Sequence, residues 1–108
     1  MSEPRKLNFD SQAIDLDGQP IPIEKNGVRV PGTWADFLIN ALAINFPGDT
    51  GLVKADKWRL VQKIHRGGEK AYPTKEVEII QKAVDQAYGP ILRGLIFDLI
   101  DPPATSEE

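Results

Sequence analysis

The sequence predicts an α+β fold, with an N-terminal β-hairpin or small sheet packed on a bundle of about four helices. Three observations carry this expectation. Between Phe9 and Val30, apolar residues alternate with polar ones around the turn dipeptides Asp17-Gly18 and Asn26-Gly27. From Thr33 onward, apolar residues recur at helical spacing instead. Pro47-Gly48, Gly67-Gly68 and Gly89-Pro90 then cut this second part into helix-length pieces.

The elements follow in chain order. Residues 1–8 are polar and are expected to form a mobile tail. Ile14 and Leu16 alternate with Asp15 and Asp17, and Ile21 and Ile23 alternate beyond the turn at Asp17-Gly18, which predicts a hairpin. Pro20 and Pro22 lack amide donors, so the returning strand must lie at an edge. Asn26-Gly27 leads into Val28-Arg29-Val30 as a third strand. Thr33 with Asp36 three residues later forms a capping box for the first helix. That helix carries Trp34, Phe37, Leu38, Ala41 and Leu42 on its inner face and is expected to end at Pro47-Gly48. The second helix is expected from about Leu52 to Arg66, with Trp58, Val61, Ile64 and His65 turned inward. Gly67-Gly68 ends it. Thr74 is expected to cap the third helix, whose apolar face is Val77, Ile80, Val84, Ala87 and Tyr88. Gly89-Pro90 breaks the chain before a fourth helix from Pro90 to Ile100. Pro102 and Pro103 stop it, and residues 102–108 are expected to form a mobile acidic tail. The globular part is therefore read as one domain over residues 9–101.

Composition narrows the function. With 108 residues the chain can bury a core without metal or disulfide staples. It has no cysteine, which excludes a disulfide framework, a thiolate metal site and a cysteine nucleophile. No apolar stretch of signal-peptide type follows the N-terminus, and no run reaches the roughly 18 apolar residues of a membrane span. A location in the cytoplasm, away from any membrane, is expected. The net charge of −3 gives no global field toward nucleic acid.

The residues offer little catalytic chemistry. The single histidine, His65, has no second histidine or cysteine to make a metal site with, and reads as a packed or helix-end residue. Ser2, Ser11 and Ser106 sit in expected loops or tails, outside any nucleophile-elbow context. Gly67-Gly68 follows a helix rather than preceding one, so it does not cradle phosphate. Asp15 and Asp17 lack the spacing of a calcium loop. Trp34 and Trp58 fall at apolar helix positions and read as core. No catalytic residue, cofactor or metal is expected, and the chain is read as a non-enzyme.

Two surfaces remain. Seven of the eleven residues from Pro90 to Ile100 are large and apolar, leaving only Arg93, Gly94 and Asp98 as a narrow strip. Such a helix is either central to the bundle or exposes part of its surface to a partner. The second surface is basic. Arg59, Lys63 and Arg66 share about 60° of arc on the second helix, with Lys70 close behind. This stripe could follow a phosphate backbone. The linker from Gly67 to Pro73, however, is too long for the turn of a helix-turn-helix.

Three stretches resemble small accessory proteins of tailed bacteriophages and prophages. They are Leu16-Asp17-Gly18-Gln19-Pro20-Ile21, Val61-Gln62-Lys63-Ile64-His65, and Gln86-Ala87-Tyr88-Gly89-Pro90-Ile91-Leu92 continuing through Phe97-Asp98-Leu99-Ile100. The likeness spans about residues 7–101. It implies an accessory protein made in a bacterial host and brings no catalytic or binding residues with it. The function expected is protein–protein binding, as an assembly helper, an inhibitor of a host factor or a homodimer. The contact residues would be Ile91, Leu95, Ile96 and Phe97. The alternative is a nucleic-acid-binding regulator using Arg59, Lys63, Arg66 and Lys70.

Overall fold

The first turn of a helix leaves backbone N–H groups that the helix itself cannot satisfy. In this chain those of the first helix are answered one by one. The computed structural model describes residues 4–44 and 46–101, so the expected acidic tail at 102–108 lies outside the described residues. Helix α1 spans Trp34–Ala43. The Trp34 N–H donates to the Ser11 carbonyl at 3.1 Å and the Ala35 N–H to the Phe9 carbonyl at 2.8 Å. The Asp36 N–H donates to the Thr33 hydroxyl at 3.2 Å, and the Asp36 carboxylate accepts from the Thr33 N–H at 2.9 Å. The predicted capping box is therefore present.

With its N-terminus satisfied by neighbouring backbone, α1 can lie inside the molecule. Helices α2 (Gly51–His65) and α3 (Thr74–Ala87) both pack on it. Leu38 and Ala41 are fully buried, and Trp34, Phe37 and Leu42 nearly so. Leu60 and Ile64 of α2 and Ile80 and Val84 of α3 meet them in the core. The Tyr88 hydroxyl, just beyond α3, donates to the Phe37 carbonyl and ties that helix end to α1.

Four short strands, among the described residues, make two two-stranded antiparallel sheets. Strand β1 (Arg5–Leu7) pairs with β4 (Lys70–Tyr72), Arg5 lying opposite Tyr72. Strand β2 (Pro22–Lys25) pairs with β3 (Val28–Pro31), Lys25 lying opposite Val28. Asn26 and Gly27 close this hairpin with φ of 53° and 79°, the left-handed pair that a two-residue turn requires. The Lys25 ammonium reaches the Asp36 carboxylate at 3.1 Å and fastens the hairpin to the α1 cap. Burial raises the Asp36 pKa, but the Thr33 N–H, Lys25 and the Thr33 hydroxyl outweigh it and hold the carboxyl below its ordinary value.

The α+β architecture agrees with the sequence, and four departures are instructive. Residues 5–7, expected in a mobile tail, form β1, because the Gly67–Pro73 linker supplies a partner strand. The hairpin expected around Asp17-Gly18 reduces to a turn with a single bridge, Ile14 to Pro20, because proline interrupts the ladder. Helix α1 stops at Ala43, before Pro47. The N-cap of α3 is Pro73, not Thr74, and has no side-chain cap.

The fourth helix, α4, spans Pro90–Ile100 as predicted, with Pro90 in its first turn. It is not the central helix. Its principal neighbour is α3, and α1 holds the centre.

Gly32 and Gly94 make contrasting predictions. A Cβ on Gly32 would stand 2.8 Å from Ile23 Cγ2 and 3.2 Å from Phe37, whereas one on Gly94 would meet nothing within 4 Å. Gly32→Ala is expected to lower unfolding stability in urea by about 1–3 kcal/mol. Gly94→Ala is expected to raise it by up to about 1 kcal/mol through helix propensity. Equal effects of the two substitutions would contradict this packing.

Candidate functional site

Large apolar side chains stand in water at Leu16, Val28 and Leu52, and on two surfaces where further apolar residues adjoin them. The first is α4. Ile96 is fully buried and Ile100 is 2% exposed, and these two anchor the helix to the core. On the other side, Ile91 is 60% exposed. Leu92, Leu95 and Leu99 are half-buried against the core edge. At about 100° per residue, Ile91, Leu95, Leu99 and Leu92 fall within about 100° of arc, so they form one continuous apolar side.

The predicted contact set therefore divides. Ile91 is open and Leu95 is partly open. Phe97 is half-buried with the Arg93 guanidinium 4.3 Å above its ring, and Arg93 is itself paired with Asp85. Ile96 is corrected: it points at the core and cannot touch a partner of the folded chain.

The second surface is on α2, and sequence reasoning missed it. The helix buries Lys57, Leu60 and Ile64. Trp58 lies about 160° round from Leu60 and is 61% exposed, against the expectation that it packs inward. His65 is exposed as well. The inward seam is out of phase with the expected one because a lysine occupies one of its positions while the tryptophan stands outside. A helical wheel anchored on Leu60 and Ile64 would have flagged Trp58.

Lys57 enters the interior because it has a partner there. Its ammonium lies 2.8 Å from the Asp49 carboxylate, and both side chains are almost fully covered. It also stands 4.8 Å from the centre of the Phe46 ring. Phe46-Pro47-Gly48-Asp49 makes a tight turn, with Gly48 at φ 92° and the Asp49 N–H donating to the Phe46 carbonyl at 3.1 Å. The hydrogen bond from Lys57 holds the Asp49 carboxyl below its ordinary value. Burial opposes this, and the Phe46 N–H and the Lys57 and Lys82 charges reinforce it. The carboxylate thus stays ionised as a latch on the α1–α2 loop.

A recess opens on each side of this ion pair. One, of about 350 Å³, is walled by Leu42, Ile44, Val61 and Trp58, with Lys54 on its lining. The other, of about 300 Å³, runs between α2 and α3 beside Val53, Ile79 and Ala83, with Lys75, Glu78 and Lys82. Asp49 and Lys57 line both.

The basic stripe is engaged at its centre. Lys63, its central member, is half-buried. It donates to the Glu76 carboxylate at 2.7 Å and to the Ala71 carbonyl at 2.6 Å, and lies 4.4 Å from the centre of the Tyr72 ring. Arg59 has Asp56 at 3.9 Å. Arg66 is the α2 C-cap, and Lys70 belongs to β4. Lys63 thus joins α2 to β4 and α3, whereas Arg66 and Lys70 make no ion pair among the described residues.

No family model, curated protein or solved structure matches the chain. Among the described residues, no helix is long and apolar enough to cross a membrane, and no three His, Asp or Glu side chains gather into a metal-binding group.

The latch predicts a pH signature. The folded pKa of Asp49 is depressed below 3.8, so its contribution is present above that value and is lost as pH falls through the lower folded one. Asp49→Asn is expected to be less stable than the wild type at neutral pH, since Lys57 then lacks its counter-charge. The gap should narrow as pH drops below about 4 in an acid series of urea melts. A gap that stays constant across that range would contradict the latch.

Proposed function

We propose that this chain is a non-catalytic binding protein that docks on a protein partner through the exposed apolar side of α4. The observation that carries this reading is the position of that helix. Its sequence is apolar round most of its circumference, yet it lies at the edge of the bundle with Ile91 60% exposed. Burying apolar surface stabilises a complex by roughly 25 cal/mol per Å², before the costs of association. A continuous strip of Ile91, Leu95, Leu92 and Leu99 is suited to that role, whereas scattered apolar residues are not. A second copy of the chain is the simplest partner. A host factor or an assembly component is the other occupant within this reading. The setting proposed with it, an accessory protein of a bacteriophage or prophage in the bacterial cytoplasm, rests on the resemblance of the short motifs around Leu16–Ile21 and Gln86–Ile100.

The nucleic-acid alternative draws less support. A phosphate-tracking stripe needs a continuous row of free cations, and Lys63, between Arg59 and Arg66 on the helix, is held by Glu76.

Two substitutions separate docking from folding. Ile91→Asp is expected to keep the helical circular dichroism of the wild type while abolishing self-association in sedimentation equilibrium or, for a monomer, capture of its partner from bacterial lysate. Ile96→Asp is expected to destroy the fold, since it places a charge where no water reaches. Wild-type association by a folded Ile91→Asp protein would overturn the proposal.

A further inference from the structure

Trp58 is an expensive residue to leave in water, and its surroundings say what could cover it. A tryptophan offers a large, stiff apolar surface with a single N–H donor, and such residues dominate binding when a partner buries them. Here the exposed indole lines the 350 Å³ recess together with Val61, one turn further along α2, and Ile44, which is itself 43% exposed. The recess is the size of one or two apolar side chains rather than of a packing defect.

The charges around it are lopsided, although the whole chain is acidic. Lys54 lines the Trp58 recess, and Lys75 and Lys82 line the neighbouring one. Lys57 is engaged by Asp49, and Lys75 has Asp56 at 3.9 Å. Lys54 and Lys82 make no ion pair among the described residues. Against them on the lining stands Glu78. Asp49 and Lys57 line both recesses, so the two adjoin along this ion pair as one groove, with an apolar lobe at Trp58, Lys54 on the lining of the first recess and Lys82 on that of the second.

We propose that this groove binds an acidic segment of a partner protein, anchored by an apolar side chain between Trp58, Ile44 and Val61 and held by its carboxylates on Lys54 and Lys82. The complementarity is specific in sign. A basic segment would be repelled by Lys54 and Lys82, and an uncharged apolar one would gain nothing from either ammonium group. This surface lies on a different helix from the α4 strip, so the two readings stand or fall separately.

A randomised peptide library, displayed on ribosomes and selected on the full chain with counter-selection on Trp58→Ala, tests this directly. Because Trp58 is exposed, Trp58→Ala is expected to stay folded by circular dichroism. The enriched sequences should place Leu, Ile, Phe or Trp among Asp and Glu. A synthetic peptide of that consensus should shift the tryptophan emission of the wild type to shorter wavelength and bind Trp58→Ala about 30-fold more weakly, the loss typical of an interfacial tryptophan. Lys54→Glu and Lys82→Glu should each weaken it several-fold, and Ile91→Asp should leave it unchanged. No enrichment, or a consensus that is basic or without acids, overturns the proposal. So does a fluorescent oligothymidylate that binds in a Trp58-dependent manner and displaces the selected peptide, which would assign the groove to nucleic acid.

Discussion

The structure depends on satisfying the buried first turn of α1. A helix whose N-terminus enters a core carries unpaired donors that each cost on the order of 1–3 kcal/mol if left without an acceptor. Segment 9–11 supplies two carbonyls and Thr33 supplies a hydroxyl, so the helix can bury five of its ten residues. The same segment is fixed elsewhere. The Phe9 ring meets Tyr72 edge to face at 5.5 Å, and the Asp10 carboxylate accepts from the Gly68 N–H at 2.7 Å. The N-terminal strand, the cap of α1 and the linker after α2 are therefore one connected structure.

Placing α1 at the centre has a consequence at the other end of the chain. Helices α2 and α3 both pack on α1, while the principal neighbour of α4 is α3 alone. The last helix then buries only the line through Ile96 and Ile100 and keeps apolar surface to spare. The Lys57–Asp49 pair has a similar effect on α2. It admits a lysine to the interior, and the tryptophan beside it is left outside. Both unusual surfaces are thus by-products of what the core accepts.

Much of the fold was legible in the sequence. The capping box of Thr33 and Asp36, the turn at Asn26-Gly27 and the helix from Pro90 to Ile100 all follow from local backbone chemistry, which needs no knowledge of distant residues. Strands β1 and β4 were not legible, because a three-residue strand carries no periodicity and exists only through its partner across the molecule. The candidate site was legible in part. The richness of α4 in apolar residues marked it, but which side faced inward depended on where α1 lay, and so Ile96 was assigned to the surface. Trp58 reads as core because Trp58, Val61, Ile64 and His65 share one apolar arc, whereas the buried arc runs through Lys57, Leu60 and Ile64. Lys63 read as a free cation because its acceptors, Glu76 and the Ala71 carbonyl, come from elements further along the chain.

The account turns on α1 being the enclosed helix and α4 the peripheral one. Native-state hydrogen–deuterium exchange at low protein concentration measures this residue by residue. The amides of Phe37 to Leu42 should exchange only through global unfolding, and those of Leu95 to Leu99 should exchange faster, through a local opening that leaves α1 intact. Equal and maximal protection of both helices in the monomer would contradict it.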